Sequence, residues 1–457
     1  MKLLNKVWFY VLLALLLTLV YGHTFKFPFQ FDDYNVIVDE AKVHSLSAWW
    51  QSMPGMRPLL KLSYALNWQF ESAPRFFRLF NLICHFFTSI LVWRLSKEML
   101  PCLLNNKQHV NKIAMLTALM FALHPAHSEV VTYISCRSTG LMVLLCMLSL
   151  CCWMHYLKNI QKAHGYLFLG IFIWLLAVLV KEPALVLPAL AWLVARYVKP
   201  ELKLSRAQKM ALLAVLFALA AYIALTPQYL KLLTQTFTFS ALQSQLATQP
   251  PAHWHYLTQT LLGLHLSVDY ELAFVQNLGV KSVLLAAPIL ALIGLSLLYF
   301  RRFPLVSFCV LWWFICLIPS NSFIPRLDIV NDRQIYFASV GALLLAAAGI
   351  MRIATYLSAK NRVLKMMAYT LTASWILALG ACTWLRNWDY ESEISLWQAN
   401  IKQQPSNARA WNNLGYAYMQ DKQDEKAIHA FENALELDPT QHKAFYNLQQ
   451  FRKNQEK

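Results

Sequence analysis

Charge is scarce in this chain. Charged residues make up 14% of its 457 positions against 58% hydrophobic, a balance that excludes a soluble globule with an ordinary charged surface. Acid is scarcer still: 23 Asp and Glu stand against 40 Lys and Arg, for a formal net charge of +17. Such an excess can signal nucleic acid, but here the basic residues sort by loop, so no nucleic-acid partner is expected. The cysteines lack the spacing of a disulfide framework or a zinc site. Most of them (Cys84, Cys146, Cys151, Cys152, Cys309, Cys316, Cys382) lie inside apolar runs, where a thiol acts as a small hydrophobe. A small-residue cleavage site is missing after the apolar run 7–21, although Lys2 and Lys6 precede it. That run is therefore expected to stay as a first helix rather than leave as a signal peptide.

What the chain does have is long hydrophobic runs. Stretches at 7–21, 211–225, 283–300 and 369–385 are nearly free of charge and about as long as a bilayer's hydrocarbon core requires. The whole pattern predicts an all-α polytopic membrane protein with about eleven spans. They fall roughly at 7–23, 77–94, 112–124, 139–157, 165–180, 183–198, 210–226, 281–300, 304–320, 335–351 and 366–385. With the N-terminus inside, the inward connections collect Arg94, Lys97, Lys158, Lys199, Arg301, Arg302, Arg352 and Lys360, opposed by Glu98 and Glu201. Asp32, Asp33, Glu129, Glu182, Asp269, Asp328 and Asp332 fall outward, as the positive-inside rule expects. Three outward segments exceed simple turns: 24–76, whose tryptophans and phenylalanines suit helices lying along the interface, 227–280, and 320–334.

A membrane domain over 1–388 is expected to give way to a periplasmic helical domain over 389–457. Trp411, Leu414, Gly415, Tyr418, Ala427, Phe431, Ala434 and Pro439 stand at the offsets of one tetratricopeptide repeat. Gly415, Ala427 and Ala434 permit close helix approach, while Trp411, Tyr418 and Phe431 fill the space between. Residues 393–405 look like the second helix of a degenerate repeat. Such a tail serves either as a packing cap or as a docking site for a protein partner.

Candidate chemistry gathers in the outward turns. Adjacent Asp32 and Asp33 repel, so one carboxyl can be raised in pKa and act as a base toward a hydroxyl; a turn-forming Asx pair is the plainer alternative. His124, His127 and Glu129, followed by Arg137, form either a metal site broken by Pro125 or a polar pocket for sugar or phosphate. Lys181 and Glu182 make a charged hinge that either contacts substrate or closes on itself as an ion pair. Asp332 and Arg333, and separately Arg57, stand where they can meet a phosphate or anchor to headgroups.

The order of these motifs resembles the transmembrane and tetratricopeptide-repeat protein O-mannosyltransferases and their bacterial relatives, of the GT-C glycosyltransferase fold. The resemblance rests on Phe31-Asp32-Asp33, Arg57-Pro58-Leu59, the run from Phe77 to His85, His124-Pro125 with His127 and Glu129, Arg137, Lys181-Glu182-Pro183, Pro188, Asp332-Arg333, Tyr336, Ser339-Val340-Gly341 and the terminal repeat. It implies a donor sugar, mannose for instance, on a polyprenyl phosphate, a protein hydroxyl as acceptor, Asp32 and Asp33 as the catalytic pair, and Arg137 or Arg333 at the leaving phosphate. No cofactor is implied beyond that donor, and metal dependence stays open. The chain departs from the pattern with Asp332 in place of glutamate and with a short repeat array, which favours a bacterial inner-membrane member. The rival readings are a transferase acting on a glycolipid or polysaccharide, and a transporter or scaffold with a docking tail. Against the transporter, neither internal repeats nor paired broken helices are visible.

Overall fold

The computed structural model describes residues 2–53, 55–202, 206–227, 239–271, 279–322 and 328–455. Among the described residues all regular structure is helical. Parts of the outward segments expected at 227–280 and 320–334, namely 228–238, 272–278 and 323–327, lie outside them.

The membrane part runs α1 Lys2–Tyr21, α2 Leu46–Gln51, α3 Pro58–Phe70, α4 Pro74–Leu103, α5 Val110–Ala122, α6 Ser128–Thr132, α7 Arg137–Lys158, α8 His164–Val180, α9 Leu187–Val198 and α10 Arg206–Leu225. It continues through α11 Phe239–Leu262, α12 Val280–Leu298, α13 Pro304–Leu317, α14 Ile335–Lys360 and α15 Arg362–Trp388. The tail holds α16 Glu393–Gln403, α17 Ala408–Gln420, α18 Asp424–Leu437 and α19 His442–Gln455. Proline opens α3, α4 and α13, where its missing N–H loses nothing and its φ suits a first turn.

Each of the eleven expected spans overlaps a helix. Among the described residues six helical segments, fewer than the eleven spans expected, are long and apolar enough to cross a membrane: Val7–Lys26, Pro74–Leu103, Ile134–Lys158, Val280–Leu298, Asp332–Lys360 and Arg362–Trp388. Large apolar side chains on the outside of α8, α12 and α15, among them Phe168, Phe172, Leu284, Leu298, Leu371 and Leu377, are exposed. Such faces suit lipid and not water, and the chain is a multi-pass membrane protein.

At the centre α4 packs against α1, α5, α7, α9 and α13, and α14 packs against α5, α13 and α15. Gly341 allows the α13–α14 approach, since a Cβ there would sit 2.7 Å from the Cys309 carbonyl. One face of α4 is polar and buried over three turns: Arg78, Asn81, His85, Thr88 and Ser89. Buried polar groups need partners: Arg78 and Asn81 find theirs in the turns at one end of the bundle, His85 bonds Tyr336 and the Ala122 carbonyl, and Thr88 and Ser89 bond carbonyls of α4 itself.

The segment between α1 and α4 carries the short α2 and the longer α3, as its aromatic composition suggests. The segment after α10 holds an unforeseen 24-residue helix, α11, with Pro250 and Pro251 inside it.

The tail folds as its spacing predicts. A Cβ on Gly415 would lie 2.7 Å from the Phe431 ring, so α17 and α18 close on each other only with glycine there. Ser392 and Ser395 form a reciprocal capping box that starts α16.

Candidate functional site

Turns that the sequence places outward meet at one end of the bundle. Phe31, directly before Asp32 and Asp33, lies at φ +45°. Asp33 is fully buried and takes the Ser135 N–H on Oδ1 at 2.7 Å and the Gln30 N–H on Oδ2 at 3.2 Å. Burial pushes its carboxyl up to about 7, against the opposing pull of Arg78 and those two N–H groups. Asp32 is only half-buried, and its N–H donates to the Tyr133 hydroxyl at 2.9 Å. Burial raises its carboxyl above the usual range; Tyr133, Arg333 and Arg409 hold it down, and Asp328 adds to the rise.

Beside the pair, buried Glu129 receives the Arg333 backbone N–H at 2.6 Å and its Nη1 at 2.5 Å. The Arg333 side chain keeps 22% of its surface open. Asp332 faces the other way, into the protein, where Oδ1 accepts from Tyr270 at 2.6 Å and Gln259 at 3.0 Å, and Oδ2 stands 3.5 Å from Arg386.

Arg137 is 1% exposed, and its donors are spent inside. Nε reaches Asn81, Nη1 reaches Ser63, and Nη2 reaches Asn67 and the Phe77 carbonyl. The rings of Tyr64, Phe77 and Phe80 surround the guanidinium. It ties α3, α4 and α7 together.

The two histidines also face inward. His124 Nε2 bonds the Thr260 carbonyl at 2.9 Å while Nδ1 accepts from Ala126; His127 bonds the Phe121 carbonyl at 2.7 Å and Ser339 at 3.1 Å. Burial lowers His124 to about 4 and His127 well below its ordinary value, so both rings are neutral. No cluster of three His, Cys, Asp or Glu able to hold a metal occurs among the described residues.

Glu182 takes a two-point contact from Arg57 at 2.9 Å on each oxygen, and Lys181 donates to Thr139 at 2.7 Å. Arg57 opens α3 at φ +52°, and this pair fixes that turn against the start of α9.

Sequence reasoning missed Tyr133, Tyr270 and Arg386. An arginine in the last turn of an apolar helix is a signal it could have used.

The tail is fastened to this same end. Arg409 bridges Asp269 and Asp328, Asn400 donates to Ser267 at 2.8 Å, and Ser406 donates to Glu271 at 2.5 Å. On the tail itself Lys402, Trp411, Tyr418, Lys426 and His429 line a groove of about 570 Å³.

The tetratricopeptide-repeat family profile matches residues 408–441. Protein O-mannosyl-transferase TMTC3 of Mus musculus is 25% identical over 93% of this chain and 50% of its own length. Its Homo sapiens counterpart is 24% identical over 96% of this chain and 52% of its own. Protein O-mannosyl-transferase tmtc2 of Xenopus laevis is 34% identical over 25% of this chain and 13% of its own. The chain spans about half the length of the TMTC3 proteins it matches. It is a homologue of the TMTC protein O-mannosyl-transferases, as the order of its motifs indicated.

Proposed function

We propose that the chain is a GT-C-like glycosyltransferase that moves a sugar, mannose in the leading reading, from a polyprenyl phosphate to a protein hydroxyl on the outer membrane face. Asp32 takes the hydroxyl proton as the acceptor oxygen attacks the anomeric carbon. The bond from that carbon to the phosphate breaks, and the lipid phosphate leaves with the electron pair. Arg333, with its exposed edge, meets that developing charge; Arg137, whose donors are spent, holds the walls. Arg57, Glu182 and Lys181 shape the neighbouring turn, Glu129 fixes Arg333, and His124, His127 and Asp332 pack the floor.

The observation that carries this reading is the partly exposed Asp32 carboxyl within the electrostatic reach of a partly exposed Arg333 at the end of a bundle whose outer faces suit lipid. The similarity to proteins named O-mannosyl-transferases supports the reaction class. The apolar runs support eleven spans, the change to polar composition supports a domain boundary near residue 388, and the sorting of lysine and arginine supports an inside N-terminus and, with an odd number of spans, a periplasmic tail, with a bacterial inner membrane as the setting. The tail groove offers a site for a protein partner.

The test is purified protein in lipid nanodiscs with a defined polyprenyl-phosphate mannose and a serine-rich or threonine-rich acceptor peptide. Mannosylated peptide and released lipid phosphate are expected in equal amounts. Transfer confined to a glycolipid would replace the acceptor, and no turnover of any lipid-phosphate sugar would end the reading.

A further inference from the structure

The residue before the acidic pair adopts a backbone that its side chain disfavours. Phe31 lies at φ +45°, the left-handed region where a Cβ crowds the following carbonyl. What holds it there comes from the start of the tail, some 360 positions away in sequence. Its N–H donates to Glu393 Oε1 at 2.8 Å, and its ring meets Trp397 edge-on with centroids 5.0 Å apart. One position earlier the Gln30 amide donates to the Tyr390 carbonyl.

Phe31 packs against both the tail core around Trp397 and the cluster of Phe27, Tyr133, Tyr390 and Leu396. Helix α16 is in turn fixed from its far end by Asn400 on Ser267 and on the Asp269 carbonyl. Directly after this left-handed residue Asp33 is buried and Asp32 is half-buried.

We infer that α16 is a positioning element for the acidic pair, Glu393 and Trp397 holding Phe31 in its left-handed turn so that Asp32 faces the acceptor. The inference rests on Asp32 as the base. It makes the start of the tail part of the catalytic unit.

The experiment compares Glu393→Ala, Glu393→Gln and Trp397→Ala in the full chain, each alone and with Phe31→Gly, in the nanodisc transfer assay. Glycine takes φ +45° without strain and needs no clamp. Glu393→Ala and Trp397→Ala are expected to lower kcat at least ten-fold with donor KM within two-fold. Glu393→Gln, whose amide oxygen still accepts the N–H, should stay near wild type, and Phe31→Gly should restore most of kcat to Glu393→Ala. Wild-type kcat in Glu393→Ala, or a loss that neither glutamine nor Phe31→Gly repairs, overturns the inference. If Glu393→Ala does not fold, the same rescue is read in Glu393→Asp, whose carboxylate is one methylene short. If the wild type transfers no sugar, the functional reading fails instead. Positioning is then read by carbodiimide labelling of Asp32, which should change in Glu393→Ala and return with Phe31→Gly.

Discussion

Glu129 and Arg333 lie 204 positions apart and meet at two points, the carboxylate taking both the backbone N–H and the guanidinium of the arginine. The carboxylate side chain is fully buried while the arginine side chain is 22% open, so the pair has one buried end and one partly exposed end.

Removing only the arginine strands a buried charge. Arg333→Ala is expected to destabilise the protein by about 3–5 kcal/mol. Glu129→Gln with Arg333→Met should recover most of that loss, measured by thermal unfolding in detergent, because no charge is left unpaired. Transfer should stay low in the double variant, since the cation near the leaving phosphate is still missing. A double variant with wild-type transfer removes Arg333 from the mechanism.

The two aspartates should separate cleanly. Asp32→Asn leaves the fold near wild type, within about 0.5 kcal/mol, and lowers kcat by about a hundred-fold or more. Asp33→Asn does the reverse in kind. One of its two acceptors becomes an NH₂ facing the N–H of Ser135 or Gln30, which costs about 1–3 kcal/mol of stability. Thermal unfolding paired with single-turnover transfer distinguishes the two effects. Equal stability loss in both variants contradicts the division of labour.

Helix positions were legible because apolar runs leave few alternatives: each expected span overlaps a helix, although among the described residues six rather than eleven helical segments are long and apolar enough to cross a membrane. The partners of the polar residues were not legible, because contacts such as Asp33 with Ser135 or Arg57 with Glu182 bridge about a hundred residues or more and depend on how helices pack. Arg137 is the clearest case. Sequence gives an arginine near an outward turn, while Asn67 and Asn81, which absorb its donors, sit on other helices. Helix α11 was hidden for a different reason. Its glutamines, with Gln245, Gln249 and Gln259 buried, read as a loop in the sequence, and the contact of Gln259 with Asp332 73 positions away is not visible there.

Gly415 offers a check on the tail. Gly415→Ala puts a methyl group 2.7 Å from two carbons of the Phe431 ring, and overpacking of this kind costs about 1–3 kcal/mol. Faster proteolytic clipping after residue 403 is the expected readout. Phe431→Leu in the same chain should slow that clipping again by making room. An alanine variant as resistant as wild type would mean that α17 and α18 do not approach this closely.

The pH profile tests the electrostatics around Asp32 with opposite signs. A base must be ionised, so the transfer rate should rise with pH through the raised value of Asp32. Asp328 disfavours the ionised form and Arg409 favours it, and the two are themselves paired at 3.0 Å. Asp328→Asn removes a repelling charge and frees Arg409, so both effects lower the Asp32 value and the acid limb of kcat/KM moves to lower pH. Arg409→Met removes an attracting charge and leaves Asp328 and Asp269 unopposed, so the limb moves to higher pH. Added salt should shrink both displacements, because Asp328 and Arg409 are both partly exposed to solvent. If both variants shift the limb the same way, or neither moves it, the titrating group that sets the rate is not Asp32.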